Sequence, residues 1–269
     1  SIINQKGGAG KTTTVINLAA GLNIKGKRVL VIDLDPQGNA TTGLGLSNLE
    51  NSERSIYSVL NGTKKISDVI EKTNFENIDL ITSNVDLSGL EIETAGDNRR
   101  AFILKEQITA YLNDSRSVYS YILIDCPPSL SLLTIMALVA SDSLLVPLQT
   151  EFFALEGVTQ LMKTIDRIKN NLNPELSIRG ILLTMYDKRN KLSGEVEKEA
   201  RDYFKDKVYQ TVVPRNVRLS EAPSHGTPIL FYDKQCSGSK SYFNFTEEFL
   251  NQEREFESAA WMHLKLKKD

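Results

Sequence analysis

The segment QKGGAGKTTT, residues 5–14, has the residue types of a phosphate-binding loop. Its glycines allow backbone N–H groups to turn inward around phosphate oxygens, and a helix beginning near Lys11 would direct its positive end at them. In this motif the lysine, here Lys11, reaches the β- and γ-phosphates, and the hydroxyl of Thr12 contacts Mg²⁺. The predicted nucleotide-binding residues of the loop are Gly7, Gly8, Ala9, Gly10, Lys11, Thr12 and Thr13.

One position departs from the general motif. Gln5 stands where G-x-x-x-x-G-K-[ST] has its first glycine, and Lys6 follows at once. The general motif does not require a second lysine, so the chemistry of this loop alone does not explain Lys6.

Carboxylates follow two apolar runs that read as strands. Asp33 and Asp35 end RVLVIDLD, and Asp125 ends YILID. Ligands of open α/β sheets bind at the carboxyl edge of the strands, where these residues would meet. We predict that Asp125 holds Mg²⁺ or its waters, that Asp35 faces the γ-phosphate and orients water, and that Asp33 supports this set. The predicted metal-binding residues are Thr12, Asp35 and Asp125.

Short apolar runs that alternate with amphipathic stretches predict the elements that position these residues. Most of the runs are continuous, as expected for parallel strands covered on both faces. Helices are predicted after the loop, over Leu155 to Asn171, and over Gly194 to Phe204. The predicted strands are Ser1 to Asn4, Arg28 to Asp33, Ile78 to Thr82, Tyr121 to Cys126, Ser143 to Leu148, Arg179 to Thr184 and Val208 to Val213.

The predicted fold class is therefore α/β, a P-loop NTPase fold with a mostly parallel, twisted sheet and helices on both faces. We expect one domain over residues 1–269. Because strands average about 5 to 6 residues, the short first strand suggests that a few native residues precede Ser1. Residues 254–269 form an atypical tail in which a tryptophan, apolar residues and lysines follow an acidic stretch.

Composition excludes several classes of protein. A net charge of -2 does not fit a wholly basic nucleic-acid module. Cys126 and Cys236 are far apart, so they suggest neither a zinc site nor a disulfide framework. The sequence contains no long apolar run and no signal peptide, so we expect a cytoplasmic protein.

The blocks KGGAGKT, DLDPQGNATTGLG, DCPPSL, EFFALEG, GILLTMYD and VPRNVRLSEAPSHG together resemble the ParA/Soj family of chromosome- and plasmid-partitioning ATPases. The resemblance implies ATP and Mg²⁺ as cofactors and an ATP-dependent sandwich homodimer in which Lys6 crosses to the phosphates of the other subunit. It also implies that Asp35 orients water and that Glu151 lies at the nucleotide and dimer face. Met185, Pro214 and Asn216 would line the adenine.

The resemblance further implies DNA binding without sequence preference, release of DNA after hydrolysis, and a nucleoid-associated protein. Sequence choice would belong to a ParB-type centromere-binding partner that stimulates hydrolysis. Salt-sensitive phosphate contacts are expected from basic residues in two segments. These are Lys188, Arg189, Lys191, Arg215 and Arg218.

Two other functions are compatible with the same loop. The positioning ATPase MinD shares the additional lysine and ends in an amphipathic membrane anchor, which the tail around Trp261 and Leu264 fits only loosely. The blocks QGNATTGLG and RNVRLSEAPSHG favour the partitioning branch, so membrane binding is not expected. A cluster-carrying ATPase related to the nitrogenase iron protein would need cysteine ligands, which the isolated Cys126 does not supply.

Overall fold

The computed structural model describes residues 1–46, 53–114 and 118–266, with side chains described up to residue 254. Two sets of strands run side by side in the orders β2-β3-β1-β4 and β5-β6-β7. All strand pairs are parallel except β2 with β3, which is antiparallel at one edge. The strands are β1 Val29–Asp33, β2 Ile70–Lys72, β3 Ile78–Ile81, β4 Tyr121–Asp125, β5 Ser143–Gln149, β6 Ser177–Tyr186 and β7 Val208–Pro214.

The segment at the start of the chain joins the two sets of strands. Ile2 bridges in parallel to both Asp125 and Leu145, and its N–H donates to the carbonyl oxygen of Ile124 at 3.0 Å. The predicted strand over Ser1 to Asn4 is thus reduced to a single bridging position, but it lies at the centre of the sheet. The segment brings the phosphate loop to the carboxyl edge, next to the ends of β1 and β4.

Helices cover both faces of the sheet. Short 3₁₀ turns lie at Val85–Gly89, Arg100–Phe102, Lys205–Lys207 and Ala222–His225. The α-helices are α1 Lys11–Ile24, α2 Asn39–Gly43, α3 Ile56–Leu60, α4 Ile66–Val69, α5 Leu90–Glu93, α6 Ile103–Asn113, α7 Leu132–Ala140, α8 Ala154–Asn171, α9 Lys191–Phe204, α10 Val217–Glu221, α11 Ile229–Tyr232 and α12 Ser237–Leu266.

Alternate residues of the central strand enter different hydrophobic cores. Val29 and Val31 of β1 pack with α1 and α12, whereas Leu30 and Ile32 pack on the other face with α3, α6 and α7. Successive side chains of a strand point to opposite faces of the sheet, and here both faces are buried. For this reason the sequence of the strand is a continuous apolar run. The predicted α/β fold with helices on both faces is confirmed.

Helix α1 is pressed closely against α12. A Cβ on Gly21 would overlap the side chain of Thr246 and lie 2.8 Å from its Cβ. The hydroxyls of Thr14 and Tyr242 lie 3.1 Å apart in the same buried contact. The helix that begins at the phosphate loop therefore packs against α12 at two positions, Thr14 and Gly21.

The predicted helices are confirmed with small shifts at their first residues. Helix α8 begins at Ala154, and α9 begins at Lys191, where the side chain of Asn190 accepts a hydrogen bond from the N–H of Leu192. In the atypical tail, α12 continues to Leu266, and residues 267–269 lie outside the described part. Among the described residues, the helices are too short or too polar to span a bilayer.

Candidate nucleotide-binding site

The phosphate loop contains two residues in the left-handed conformation and is hydrogen-bonded to a neighbouring strand. Gly8 and Gly10 have φ of 75° and 90°, which non-glycine residues adopt at a cost. Gly10 is the N-cap of α1 and provides no side-chain cap, so the first N–H groups of the helix are left for a ligand. The hydroxyl of Thr184 in β6 donates to the carbonyl of Ala9 at 2.9 Å. These contacts fix the loop in a shape that could hold phosphate oxygens.

The side chain of Lys11 bonds back to the first part of the loop. Its Nζ donates to the carbonyl oxygen of Lys6 at 2.9 Å, and its side chain is buried. Burial lowers the pKa of Lys11, while the nearby charges of Asp125 and Asp35 raise it in part. The lysine spans the two ends of the loop, and its position fits a cation that contacts phosphate oxygens.

Thr12 and Asp125, two of the three predicted metal-binding residues, are joined by a hydrogen bond. The hydroxyl of Thr12 donates to Oδ2 of Asp125 at 2.7 Å, and Oδ1 of Asp125 is buried without a hydrogen-bond partner in the described part of the chain. Burial raises the pKa of Asp125 well above its usual value, the charge of Asp33 raises it further, and the Thr12 hydrogen bond opposes the shift. A buried carboxylate with an open oxygen fits a cation or its water shell.

The three aspartates differ in their roles at this edge. Asp33 is fully buried and accepts hydrogen bonds from the N–H and hydroxyl of Thr41, each at 2.7 Å. Burial raises the pKa of Asp33 to about 6, against those hydrogen bonds. Asp35 accepts from the N–H of Gln37 at 3.0 Å, and its carbonyl accepts from the hydroxyl of Ser83 at 2.6 Å. Asp33 therefore supports the turn, and Asp35 reaches the cleft.

A cleft of about 500 Å³ lies beside the loop. It brings together eight of the predicted residues, namely Gly7, Gly8, Gly10, Lys11, Thr12, Thr13, Asp35 and Met185. It also includes residues that sequence reasoning missed, which are Ile16, Gln37, Asn39, Thr42, Pro128, Pro223 and Ser224.

Two of the predicted adenine residues lie off this lining. Pro214 ends β7, and Asn216 is engaged elsewhere, since its Oδ1 accepts from the N–H of Arg218 at 2.8 Å and its Nδ2 donates to Ser237 at 2.8 Å. Met185 does line the cleft, in a left-handed conformation with φ of 54°. A strained non-glycine residue beside a cleft is a common feature of ligand sites.

The described residues contain no cluster of three or more His, Cys, Asp or Glu side chains able to hold a metal alone. Mg²⁺ is usually bound through one or two carboxylates together with phosphate oxygens and waters. Thr12 and Asp125 beside a phosphate loop match that requirement.

Comparison with known proteins bears on this site. A family model described as an AAA domain matches residues 1–178. The chromosome partitioning protein ParA of Caulobacter vibrioides is 50% identical over 260 residues, which is 97% of this chain and 96% of that protein. The chain belongs to the ParA/Soj family of partitioning ATPases. The sporulation initiation inhibitor Soj of Bacillus subtilis is 49% identical over 92% of this chain and 96% of that protein.

A solved structure shares the fold over nearly the whole chain. A cobyrinic acid a,c-diamide synthase from Mycobacterium smegmatis, with bound ADP and magnesium, is 33% identical with a TM-score of 0.79, over 94% of each chain. The predicted family and fold class are confirmed.

The additional lysine of this ParA/Soj-family chain has a fixed backbone and an exposed side chain. The N–H of Lys6 donates to Oδ1 of Asn4 at 2.9 Å, and Nδ2 of Asn4 donates to the carbonyl of Pro147 at 2.7 Å. The side chain of Lys6 pairs with Glu151, and the two side chains are 49% and 30% exposed. The side chain of Lys6 is therefore half exposed, and its partner is Glu151.

The predicted DNA-contacting residues lie at the carboxyl ends of β6 and β7. The N–H of Arg215 donates to the carbonyl of Tyr186 at 3.0 Å, so the two basic segments are neighbours. The side chain of Arg189 is 91% exposed and pairs with Asp187 at 3.0 Å. The hydrogen bonds from Arg189 hold the pKa of Asp187 at about 2, and the charge of Arg215 contributes.

The remaining basic residues share this exposed edge. Arg218 pairs with Glu221 at 2.8 Å and lies 3.7 Å from Asp233. Lys188 and Lys191 are exposed. Exposed ion pairs contribute little to stability, so these arginines could exchange their carboxylate partners for phosphates at small cost.

Proposed function

We propose that this chain acts as a single-domain, Mg²⁺-dependent ATPase that closes as an ATP-bound homodimer, binds DNA without sequence preference and releases it after hydrolysis. The observation that carries the proposal is the Thr12–Asp125 pair, whose open carboxylate oxygen lies beneath a phosphate loop that bears both Lys6 and Lys11. The names of the relatives, which are chromosome partitioning proteins, support the same function.

Each residue of the site has a distinct role in this proposal. Backbone N–H groups of residues 7–13, together with Lys11, hold the phosphates, and Thr12 and Asp125 hold Mg²⁺ and its waters. Bound Mg²⁺ neutralises negative charge on the phosphate oxygens. Asp35, fixed by the N–H of Gln37, orients the attacking water. Lys6, supplied by the second subunit, stabilises the charge that develops in the transition state.

Hydrolysis of ATP by two variants tests these roles. Lys6→Ala and Asp35→Ala should each lower the turnover rate by a factor on the order of 100 or more, because single transition-state donors contribute about that much. Lys198→Ala, which changes an exposed lysine of α9, is the matched control and should keep the wild-type rate. Wild-type turnover in both site variants would disprove the assignment.

The proposed DNA binding would use the exposed basic residues that follow β6 and β7. Phosphate contacts at Arg189 and Arg218 of two subunits would make binding dependent on both ATP and salt concentration. Such binding would place the protein on the nucleoid, with a ParB-type partner that stimulates hydrolysis and thereby triggers release.

Co-sedimentation with DNA under ATP, ADP or no nucleotide, at two salt concentrations, tests this part. Binding should appear with ATP and weaken with salt. Arg189→Ala and Arg218→Ala should each reduce the slope of log affinity against log salt by about 1 for every contact removed. Arg99→Ala, an exposed arginine paired with Glu106, is the control and should leave the slope unchanged. DNA binding that ignores the nucleotide would contradict the proposed switch.

A further inference from the structure

A polar side chain lies in the buried middle of the helix that follows the phosphate loop. Asn17 belongs to α1 and is 3% exposed, between the buried apolar residues Ile16 and Leu18. Asparagine is a weak helix former, and burial of its amide costs free energy unless its polar ends are bonded. A leucine would suit this position better if only helix formation and core packing mattered. The presence of Asn17 therefore needs a further explanation.

Both polar ends of Asn17 are bonded, and they join two separate parts of the candidate site. Its Nδ2 donates to the carbonyl oxygen of Thr13 at 2.8 Å, in the first turn of α1. Its Oδ1 accepts from the N–H of Ile229 at 2.8 Å, 212 residues along the chain. Ile229 is fully buried and begins α11. One amide therefore connects the phosphate helix to the segment that ends at Ile229.

That segment, residues 222–229, contributes to the cleft and is called the wall segment below. Pro223 and Ser224 line the cleft. The segment is closed on itself, since the N–H of Gly226 donates to the carbonyl oxygen of Pro223 at 2.9 Å. A compact turn of this kind keeps its own shape, so its place in the cleft depends on how its ends are attached.

The wall segment lies beyond the phosphate-binding end of the cleft. A Cβ on Gly43 would overlap the side chain of Ile16 and lie 3.7 Å from Cβ of Pro223, so Pro223 is placed beside Ile16. Ile16 is six residues after Gly10, which is about 9 Å along α1. Phosphates held by the first N–H groups of the helix do not extend that far, but the sugar and base of a nucleotide do. The wall segment is therefore placed to contact the nucleoside.

We infer that Asn17 is a positioning residue for the nucleotide, because it fixes the wall segment at the distance from the phosphate helix that suits a bound nucleoside. The inference rests on the proposed nucleotide site and adds the residue that sets its width at the nucleoside end. Without this amide the phosphate loop would keep its shape, since its hydrogen bonds from Thr184 to Ala9 and from Lys11 to Lys6 do not involve Asn17. Only the wall segment would be released.

Calorimetry with ADP and with inorganic pyrophosphate, each in the presence of Mg²⁺, tests the inference. Pyrophosphate reports on the phosphate loop alone, whereas ADP reports on the loop and the wall segment together. Asn17→Leu has a similar volume but can bond to neither group. It should weaken ADP binding on the order of tenfold and change pyrophosphate binding by less than about twofold. A purely structural role would change both affinities by the same factor, or neither.

Asn173→Leu is the matched control. Asn173 is 4% exposed, and its Nδ2 donates to the carbonyl oxygens of Leu138 and Ser141 at 3.0 and 2.8 Å, away from the residues that line the cleft. The control also leaves buried groups unbonded, so it should lose stability in urea as Asn17→Leu does but keep the wild-type affinity for both ligands. If Asn17→Leu does not fold, Asn17→Ala replaces it, with the same selective loss of ADP binding expected.

Equal losses of ADP and pyrophosphate binding in Asn17→Leu would show that the residue only supports the fold, and would overturn the inference. Unchanged binding of both ligands would overturn it as well, as would a control variant with the same selective loss. A wild-type chain that binds neither ligand would refute the proposed nucleotide site itself, and with it the proposed function.

Discussion

Replacement of Asp33 by asparagine should change how the stability of this protein depends on pH. Asp33 is fully buried at the end of β1, and burial raises its pKa from 3.8 to about 6. A carboxyl with a raised pKa binds more protons in the folded state than in the unfolded state between those two values. The free energy of unfolding therefore falls as pH rises from about 4 through 6, and this contribution is constant above that range.

The size of the effect follows from the shift. The difference between an unfolded pKa of 3.8 and a folded pKa of about 6 corresponds to about 3 kcal/mol. In Asp33→Asn the penalty disappears, so the free energy of unfolding of the variant, minus that of the wild type, should rise by about 3 kcal/mol between pH 4 and 7.5. The charge of Asp33 also raises the pKa of Asp125, so its removal should enlarge the change.

Urea unfolding in small pH steps measures this difference directly. The asparagine loses the acceptor for the N–H of Asp35 at 3.2 Å, but that loss does not vary with pH and shifts the whole curve by a constant. Asp166→Asn, which removes an exposed carboxylate from α8, is the control and should run parallel to the wild type. If the curves of Asp33→Asn and the wild type ran parallel, the conclusion that the buried charge destabilises the folded state would be refuted.

Two further predictions concern the framework of the loop. Thr184→Val keeps the shape of the side chain but removes the hydroxyl that donates to Ala9, so calorimetry should show about 5- to 10-fold weaker ADP binding, the value of one hydrogen bond; unchanged affinity would mean that the loop holds itself. Gly21→Ala should lower the free energy of unfolding in urea by about 1–3 kcal/mol through overlap with Thr246. Thr246→Ala should recover part of that loss, and strictly additive effects would count against the contact.

The central strands could be predicted from the sequence because burial on both faces leaves a continuous apolar run, as in Val29–Asp33. The antiparallel strand Ile70–Lys72 was missed. It has three residues, lies at the sheet edge and is partly exposed, so it has neither a long apolar run nor enough length to display alternation. Ser1 to Asn4 reads as a strand, yet only Ile2 is bridged.

Some residues of the candidate site could likewise be predicted from the sequence, and others could not. The loop and Asp125 could be predicted because glycine spacing and a strand end fix where those groups lie. Pro223 and Ser224 reach the cleft through a contact between distant glycines, in which a Cβ on Gly226 would lie 2.7 Å from the Cα of Gly45. No local pattern reports such an approach, because it depends on how two loops meet after the sheet has formed.

Lys6 differs from the other charged residues of the candidate site in how its side chain is held. Asp125 and Lys11 are buried and already aimed at the loop. The backbone of Lys6 is equally fixed, by Asn4 and by Lys11, but its side chain is held only by an exposed pair with Glu151. Such a pair is worth at most about 1 kcal/mol. Its exchange for phosphate oxygens in a second copy would therefore cost little, so the barrier to closing the proposed dimer would lie in bringing the two surfaces together rather than in releasing the lysine.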